Sequence, residues 1–174
     1  MSDKRGITMF EINSHKDSQE NYQALYVAIQ SHMKDEDDLI ANLANISSFI
    51  YWTLEDINWS GFYLMKNKEL VLGPFCGKPA CTRISVGKGV CGTAVYQERI
   101  IVVPDVHNFD GHIACDGETK SEIVLPIFKG GKVFGVLDID SPIANRFSEL
   151  DKEYLAKIAE CISSFVNKSD NQKR

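Results

Sequence analysis

The chain has 174 residues, of which 44% are hydrophobic and 25% charged, with a net charge of -5. That suits one domain with a substantial core. Its scattered Lys and Arg residues exclude nucleic acid as the main partner, because phosphate binding needs clustered cations. No apolar run approaches the roughly 20 residues of a membrane-spanning helix. The opening residues MSDKRGITMFEINS lack the apolar stretch of a secretory leader. A cytoplasmic protein with no membrane partner is expected.

Residues 1–17 are expected to be poorly structured or extended. Tyr22, Leu25, Tyr26, Ile29 and Met33 fall at helical spacing and predict a helix over 18–34. The acidic run at 35–38 offers the next helix N-terminus, and that helix runs to about Glu55. From residue 59 the pattern changes to strands. WSGFYLMK and ELVLGPF form a hairpin about Asn67-Lys68. Residues 76–91 read as loop, 90–98 as a short helix, IIVVP as a strand and 105–121 as a second polar loop. IVLPIFKGGKVFGVLDI is another hairpin, turning at Gly130-Gly131. A last helix follows, with Ser148 as its cap and Asp151 three residues on. Residues 169–174 are a frayed tail. The order predicts an α+β sandwich, a mainly antiparallel sheet with helices on one face.

Gly87-Lys88-Gly89-Val90-Cys91-Gly92 matches the dinucleotide fingerprint G-x-G-x-x-G. The helix after it is too short for an ordinary crossover and no βαβ series follows, so a Gly-rich turn is the simpler reading. GPFCGKP fails as a phosphate loop in glycine spacing and at Pro79.

The five cysteines are Cys76, Cys81, Cys91, Cys115 and Cys161. An odd number in a cytosolic chain does not suggest a structural disulfide framework. None forms a C-x-x-C pair, so neither metal nor cofactor is expected. Cys91 begins a helix, where unpaired backbone N–H groups favour a thiolate. Cys81 and Cys115 lie in polar loops. His112 and Lys120 would lower the pKa of Cys115 if they fold back, and Asp116 would raise it. Cys161 reads as a small core hydrophobe.

Asp138 and Asp140 share a strand face. The hairpin register brings Glu122 opposite residues 138–140, which gathers three carboxylates at one sheet end. Such a cluster suits an ammonium guest. Trp59 and Tyr63 share a face and are suited to enclose a methyl or cationic group.

GPFCGKPACTRISVGKGVCGTAV, PDVHNFDGHIACDGETKSEIVLPI and GVLDIDSP together resemble the free methionine-(R)-sulfoxide reductases, which are single GAF-domain enzymes. The resemblance spans about residues 20–165. It implies a GAF fold over 18–168, with a central antiparallel sheet of about six strands and helices packed against it. It also implies reduction of free L-methionine-(R)-S-oxide to L-methionine through a cysteine sulfenic acid and an intramolecular disulfide, with thioredoxin as reductant. Cys115 resembles the nucleophile, Cys81 the principal resolving thiol and Cys91 a further relay thiol. Glu122, Asp138 and Asp140 resemble the carboxylates that hold the substrate's amino group and assist its oxygen, and Trp59 and Tyr63 the wall around its methyl. Asp105 is a further substrate-binding candidate. Cys76 stands where the family pattern has glutamine, and adds a fourth thiol near the loop. GAF domains commonly pair through helices, so a homodimer through the first helix is expected. The competing readings are a small-molecule binding module and a redox sensor, both without turnover.

Overall fold

The computed structural model describes residues 19–111, 113 and 116–168. Cys115, His112, the 1–17 segment and the 169–174 tail lie outside the described residues. Four α-helices and six strands follow in order: α1 (Gln19–Asp35), α2 (Leu39–Thr53), β1 (Trp59–Lys66), β2 (Glu69–Gly77), β3 (Arg83–Ser85), α3 (Gly89–Gln97), β4 (Ile101–Val103), β5 (Ser121–Lys129), β6 (Lys132–Ser141) and α4 (Glu149–Lys168). A 3₁₀ turn at Val106–Asn108 precedes β5. No helix among the described residues is long and apolar enough to cross a membrane.

The strands form one antiparallel sheet in the order β3-β2-β1-β6-β5-β4. Both hairpins turn where the sequence places them. Asn67, Lys68, Gly130 and Gly131 all have positive φ, as the right-handed twist of two-residue hairpins requires. β3 lies inside the stretch read as loop. It falls on the run RISV, which is strand-like in sequence, and pairing with β2 at Leu70↔Ile84 stabilises it.

The alternation of each strand divides two cores. Phe62 and Leu64 of β1, Ile123, Leu125 and Ile127 of β5, and Leu137 and Ile139 of β6 face one side. There they pack with α1, α2 and α4. Tyr63, Val124 and Val136 face the other side, with α3. The expectation of helices on one face is therefore corrected: α3 lies on the opposite face from the other three. Its flanking strands β3 and β4 occupy opposite edges of the sheet, so the helix has to cross that face. This geometry also disposes of the dinucleotide fingerprint, which needs a parallel βαβ unit.

The helix layer is clipped by a buried ionic knot. Asp151, 2% exposed, accepts from Tyr22 Oη of α1 and from Arg146 Nη1 at 2.8 Å. It also accepts from the backbone N–H of Ser148 at 2.7 Å. The Ser148 hydroxyl accepts from Asp151 N–H at 3.3 Å, closing the expected capping box. Arg146 Nε in turn donates to Glu55 O at 2.9 Å. Cys161 is half-buried against this core.

Hydrogen bonds from Ser148, Tyr22 and Arg146 outweigh burial and hold the Asp151 carboxyl below its ordinary value. The stability it adds is present above the unfolded-state pKa and is lost as pH falls through the lowered folded value. Asp151→Ala is expected to cost about 3 kcal/mol at pH 7, because it strands Arg146. In denaturant titrations, the gap between wild type and Asp151→Asn should shrink from pH 7 to pH 3. An unchanged gap would show that the carboxylate charge is irrelevant.

Candidate functional site

The strand register builds the site on the α3 face. Glu122 of β5 pairs with Asp140 of β6, and Asp140 pairs with Trp59 of β1. Trp59 pairs with Gly77 of β2. The adjacent row joins Val124, Asp138, Gly61 and Phe75. Directly paired residues share a face, so two neighbouring rows carry three carboxyls, Trp59 and Phe75, and Tyr63 follows in the next row opposite Val136. A pocket opens between them, α3 and the loop after β2. It is lined by Trp59, Tyr63, Lys78, Pro79, Ala80, Ile84, Gly89, Val90, Cys91, Ile113, Asp116, Thr119, Glu122, Asp138 and Asp140.

Trp59 is 3% exposed. It stacks between Phe75 (centroids 5.3 Å, 14°) and Tyr63 (5.9 Å, 24°), and its Nε1 donates to Lys78 O at 3.1 Å. Gly61 makes this seat possible: a Cβ there would lie 2.6 Å from the indole and 2.4 Å from Phe75 Cβ. Tyr63 Oη donates to Cys81 O at 2.9 Å, which ties the loop after β2 to the sheet.

The acids are buried against their electrostatic interest. Glu122 and Asp138 are each 6% exposed. Burial first, and then Asp140, push the Glu122 carboxyl well above the ordinary range. Burial and Glu122 do the same to Asp138. Asp140 is half-buried; burial, Asp138 and Asp116 raise it as well. Asp138 Oδ1 is buried without a hydrogen-bond partner. An acceptor left so costs free energy unless a guest donor fills the place.

Cys91 corrects a sequence expectation. Its position at the start of α3 suggested a thiolate. Yet it is 3% exposed, and its thiol donates to Glu122 Oε1 at 3.9 Å. Burial, Asp138 and Glu122 raise its pKa well above the ordinary thiol value. The dipole of a nine-residue helix loses to desolvation and two acids. The donor atoms of Cys91, Glu122 and Asp138 lie within 4.8 Å of one another, close enough to hold a metal ion. Sequence spacing did not reveal this group. Metal binding there would have to release protons that the raised pKa values hold.

Cys81 is disulfide-bonded, while Cys76, Cys91 and Cys161 are free thiols. Cys76 pairs with Ser60, whose face is that of Phe62 and the three-helix layer. It therefore points away from the pocket, and burial raises its pKa. Asp105 does not line the pocket. It caps the 3₁₀ turn, accepting from His107 N at 3.0 Å and Asn108 Nδ2 at 2.9 Å.

Lys78, Asp116 and Thr119 line the pocket without having been read as binding residues. Asn58 Nδ2 donates to Asp116 Oδ2 and to Thr119 Oγ1, each at 3.3 Å. No periodicity marks loop residues, and only their convergence in space brings them forward.

The chain is similar to known proteins over most of its length. The GAF domain family matches residues 24–164. The free methionine-R-sulfoxide reductase of Escherichia coli is 48% identical over 141 residues, covering 81% of this chain and 86% of the relative. Among the similar solved structures, two are complexes with substrate. The fRMsr of Staphylococcus aureus is 53% identical with a TM-score of 0.80, covering 83% of this chain and 95% of that one. The free methionine-R-sulfoxide reductase of Neisseria meningitidis is 38% identical with a TM-score of 0.85, covering 94% and 99%.

If the three acids are mutually frustrated, neutralising one should relieve the fold. Raised carboxyl pKa values favour the folded state at low pH, and that advantage is lost as pH rises through the folded values. Glu122→Gln is therefore expected to stabilise the ligand-free chain by roughly 1 kcal/mol at pH 8, with the gain vanishing below pH 4. Thermal unfolding across that range reads both signs.

Proposed function

The chain belongs to the GAF-domain family and has free methionine-R-sulfoxide reductases among its relatives; from that premise we propose that it reduces free L-methionine-(R)-S-oxide to L-methionine. The observation that carries the reading is the pocket itself, an aromatic box over a row of buried acids that includes an unpartnered carboxylate oxygen. Trp59 and Tyr63 wall the S-methyl group. Asp138, Asp140 and Glu122 receive the ammonium and supply one protonated carboxyl. A residue within a protein chain lacks that ammonium and is refused.

The Cys115 thiolate attacks the sulfoxide sulfur. A carboxyl of the acidic row, kept protonated by its neighbours and by burial, gives its proton to the oxygen. Oxygen passes to Cys115 as a sulfenic acid and methionine leaves. The Cys81 thiol condenses with the sulfenic acid, releasing water and forming a disulfide. Thioredoxin, as dithiol, reduces that disulfide by exchange. The disulfide at Cys81, beside three free thiols at Cys76, Cys91 and Cys161, supports this pairing. Cys91, protonated and bonded to Glu122, is a reserve thiol that also helps hold that acid in place. Asp105 acts on the site only through the loop it caps. The cytoplasm is the proposed compartment, where thioredoxin keeps thiols reduced. A homodimer is proposed through α1 and α2, whose Val27, Ile40 and Trp52 are exposed.

Turnover of free L-methionine-(R)-S-oxide with thioredoxin regeneration tests the reading. Cys115→Ser is expected to lower kcat at least about 1,000-fold, because the nucleophile is gone. Full turnover in that variant would overturn the mechanism. Peptide mapping of the oxidised protein should find an 81–115 linkage. Rapid disulfide formation with peroxide and no methionine product would favour the redox-sensor reading instead.

A further inference from the structure

A free amino acid is a zwitterion, and the acidic row answers only its ammonium. Its carboxylate would be repelled by the carboxyls around the pocket unless a cation meets it. Among the described residues lining the pocket, Lys78 is the one cation. It stands on the wall that carries Trp59, held there by the indole bond to its own carbonyl. Its Nζ lies 2.5 Å from Glu118 Oε2 and 3.6 Å from Asp116 Oδ2. The two acids differ in setting. The Glu118 side chain is 68% exposed, whereas that of Asp116 is 15% exposed and lines the pocket. Asp116 is also near enough to Asp140 for its charge to act there. Lys78 and Asp116 are thus an ammonium and a carboxylate side by side, next to the acidic row. They are complementary, charge for charge, to the headgroup of an amino acid.

We propose that Lys78 and Asp116 form the clamp for the amino-acid headgroup: Lys78 exchanges Glu118 for the substrate's α-carboxylate, and Asp116 joins Asp140 in holding the α-ammonium. This deepens the reductase reading and rests on it. It adds a second reason for the choice of a free amino acid, since a peptide carbonyl gives Lys78 no charge to bind. The competing view is that Lys78 and Glu118 are an ordinary exposed ion pair, a kind that contributes little.

The test compares L-methionine, the reaction product, with L-methioninamide, which lacks the carboxylate. Binding to the reduced full chain is measured by calorimetry at pH 6, where the amine of either ligand keeps its proton. Lys78→Met retains the aliphatic stem. It should weaken L-methionine binding about tenfold, as loss of a charge-assisted hydrogen bond does, and leave methioninamide binding unchanged. In turnover it should raise KM about as much, with kcat within about twofold of wild type. Lys78→Arg should restore most of the loss. Glu118→Gln frees Lys78, so it should tighten L-methionine binding about twofold without affecting methioninamide. Equal effects on both ligands, or none on either, overturn the clamp while leaving the reductase reading intact. Failure of the wild-type chain to bind either ligand overturns both.

Discussion

The site depends on one register. Across five strands, Val103, Glu122, Asp140, Trp59 and Gly77 are direct partners in a single row, and Asp138 stands in the next. A slip of one residue between β5 and β6 would turn Glu122 toward the helix layer and expose its apolar neighbours. The register is pinned from both ends. The Gly130-Gly131 turn fixes the hairpin at one end. At the other, the buried Ser141 hydroxyl donates to Asp56 O at 2.6 Å and the Ser121 hydroxyl to Ile143 O at 2.6 Å. The apolar face with α1, α2 and α4 adds the energetic weight, because a slip would bring Ile123, Leu125, Leu137 and Ile139 out of that core.

On that row the protein keeps groups that no stable core would choose. Three carboxyls and a thiol lie together, raised by desolvation and by one another. This is stored electrostatic strain, and it has two uses in the proposed reaction. An unpartnered oxygen attracts a cationic guest, and a carboxyl whose hold on its proton is strengthened by burial and by its acidic neighbours is suited to act as a proton donor. The aromatic stack beside it is close-packed, since Gly61 lets Phe75 and Trp59 approach the strand closely. A close-packed wall beside a frustrated charge row makes a small pocket selective in both shape and charge.

The helix α3 completes the enclosure by an unusual route. It leaves an edge strand, crosses the face with nine residues and enters the opposite edge. Gly92 lets its first turn close on the end of β3, where a Cβ would lie 2.3 Å from Ser85 O, and Cys91 of the same turn meets Glu122 rather than solvent. The same glycine ends the misleading nucleotide fingerprint. The motif reports close backbone approach, and here the backbone approaches the sheet rather than a phosphate.

Much of this was legible in the amino-acid order. The two hairpins, the capping box at Ser148 and Asp151, and the meeting of Glu122 with Asp138 and Asp140 all follow from short-range rules: strand alternation, turn chemistry and helix caps. These are local, and a linear chain records them. Other features were decided only by the tertiary structure. The sheet parity of Cys76 turns that thiol away from the pocket. The depth of α3 makes Cys91 a protonated thiol, against its helix-end position. Lys78 converges from one loop with Asp116 and Thr119 from another. Burial and long-range Coulomb interaction depend on which segments become neighbours, and no spacing along the chain encodes that distance.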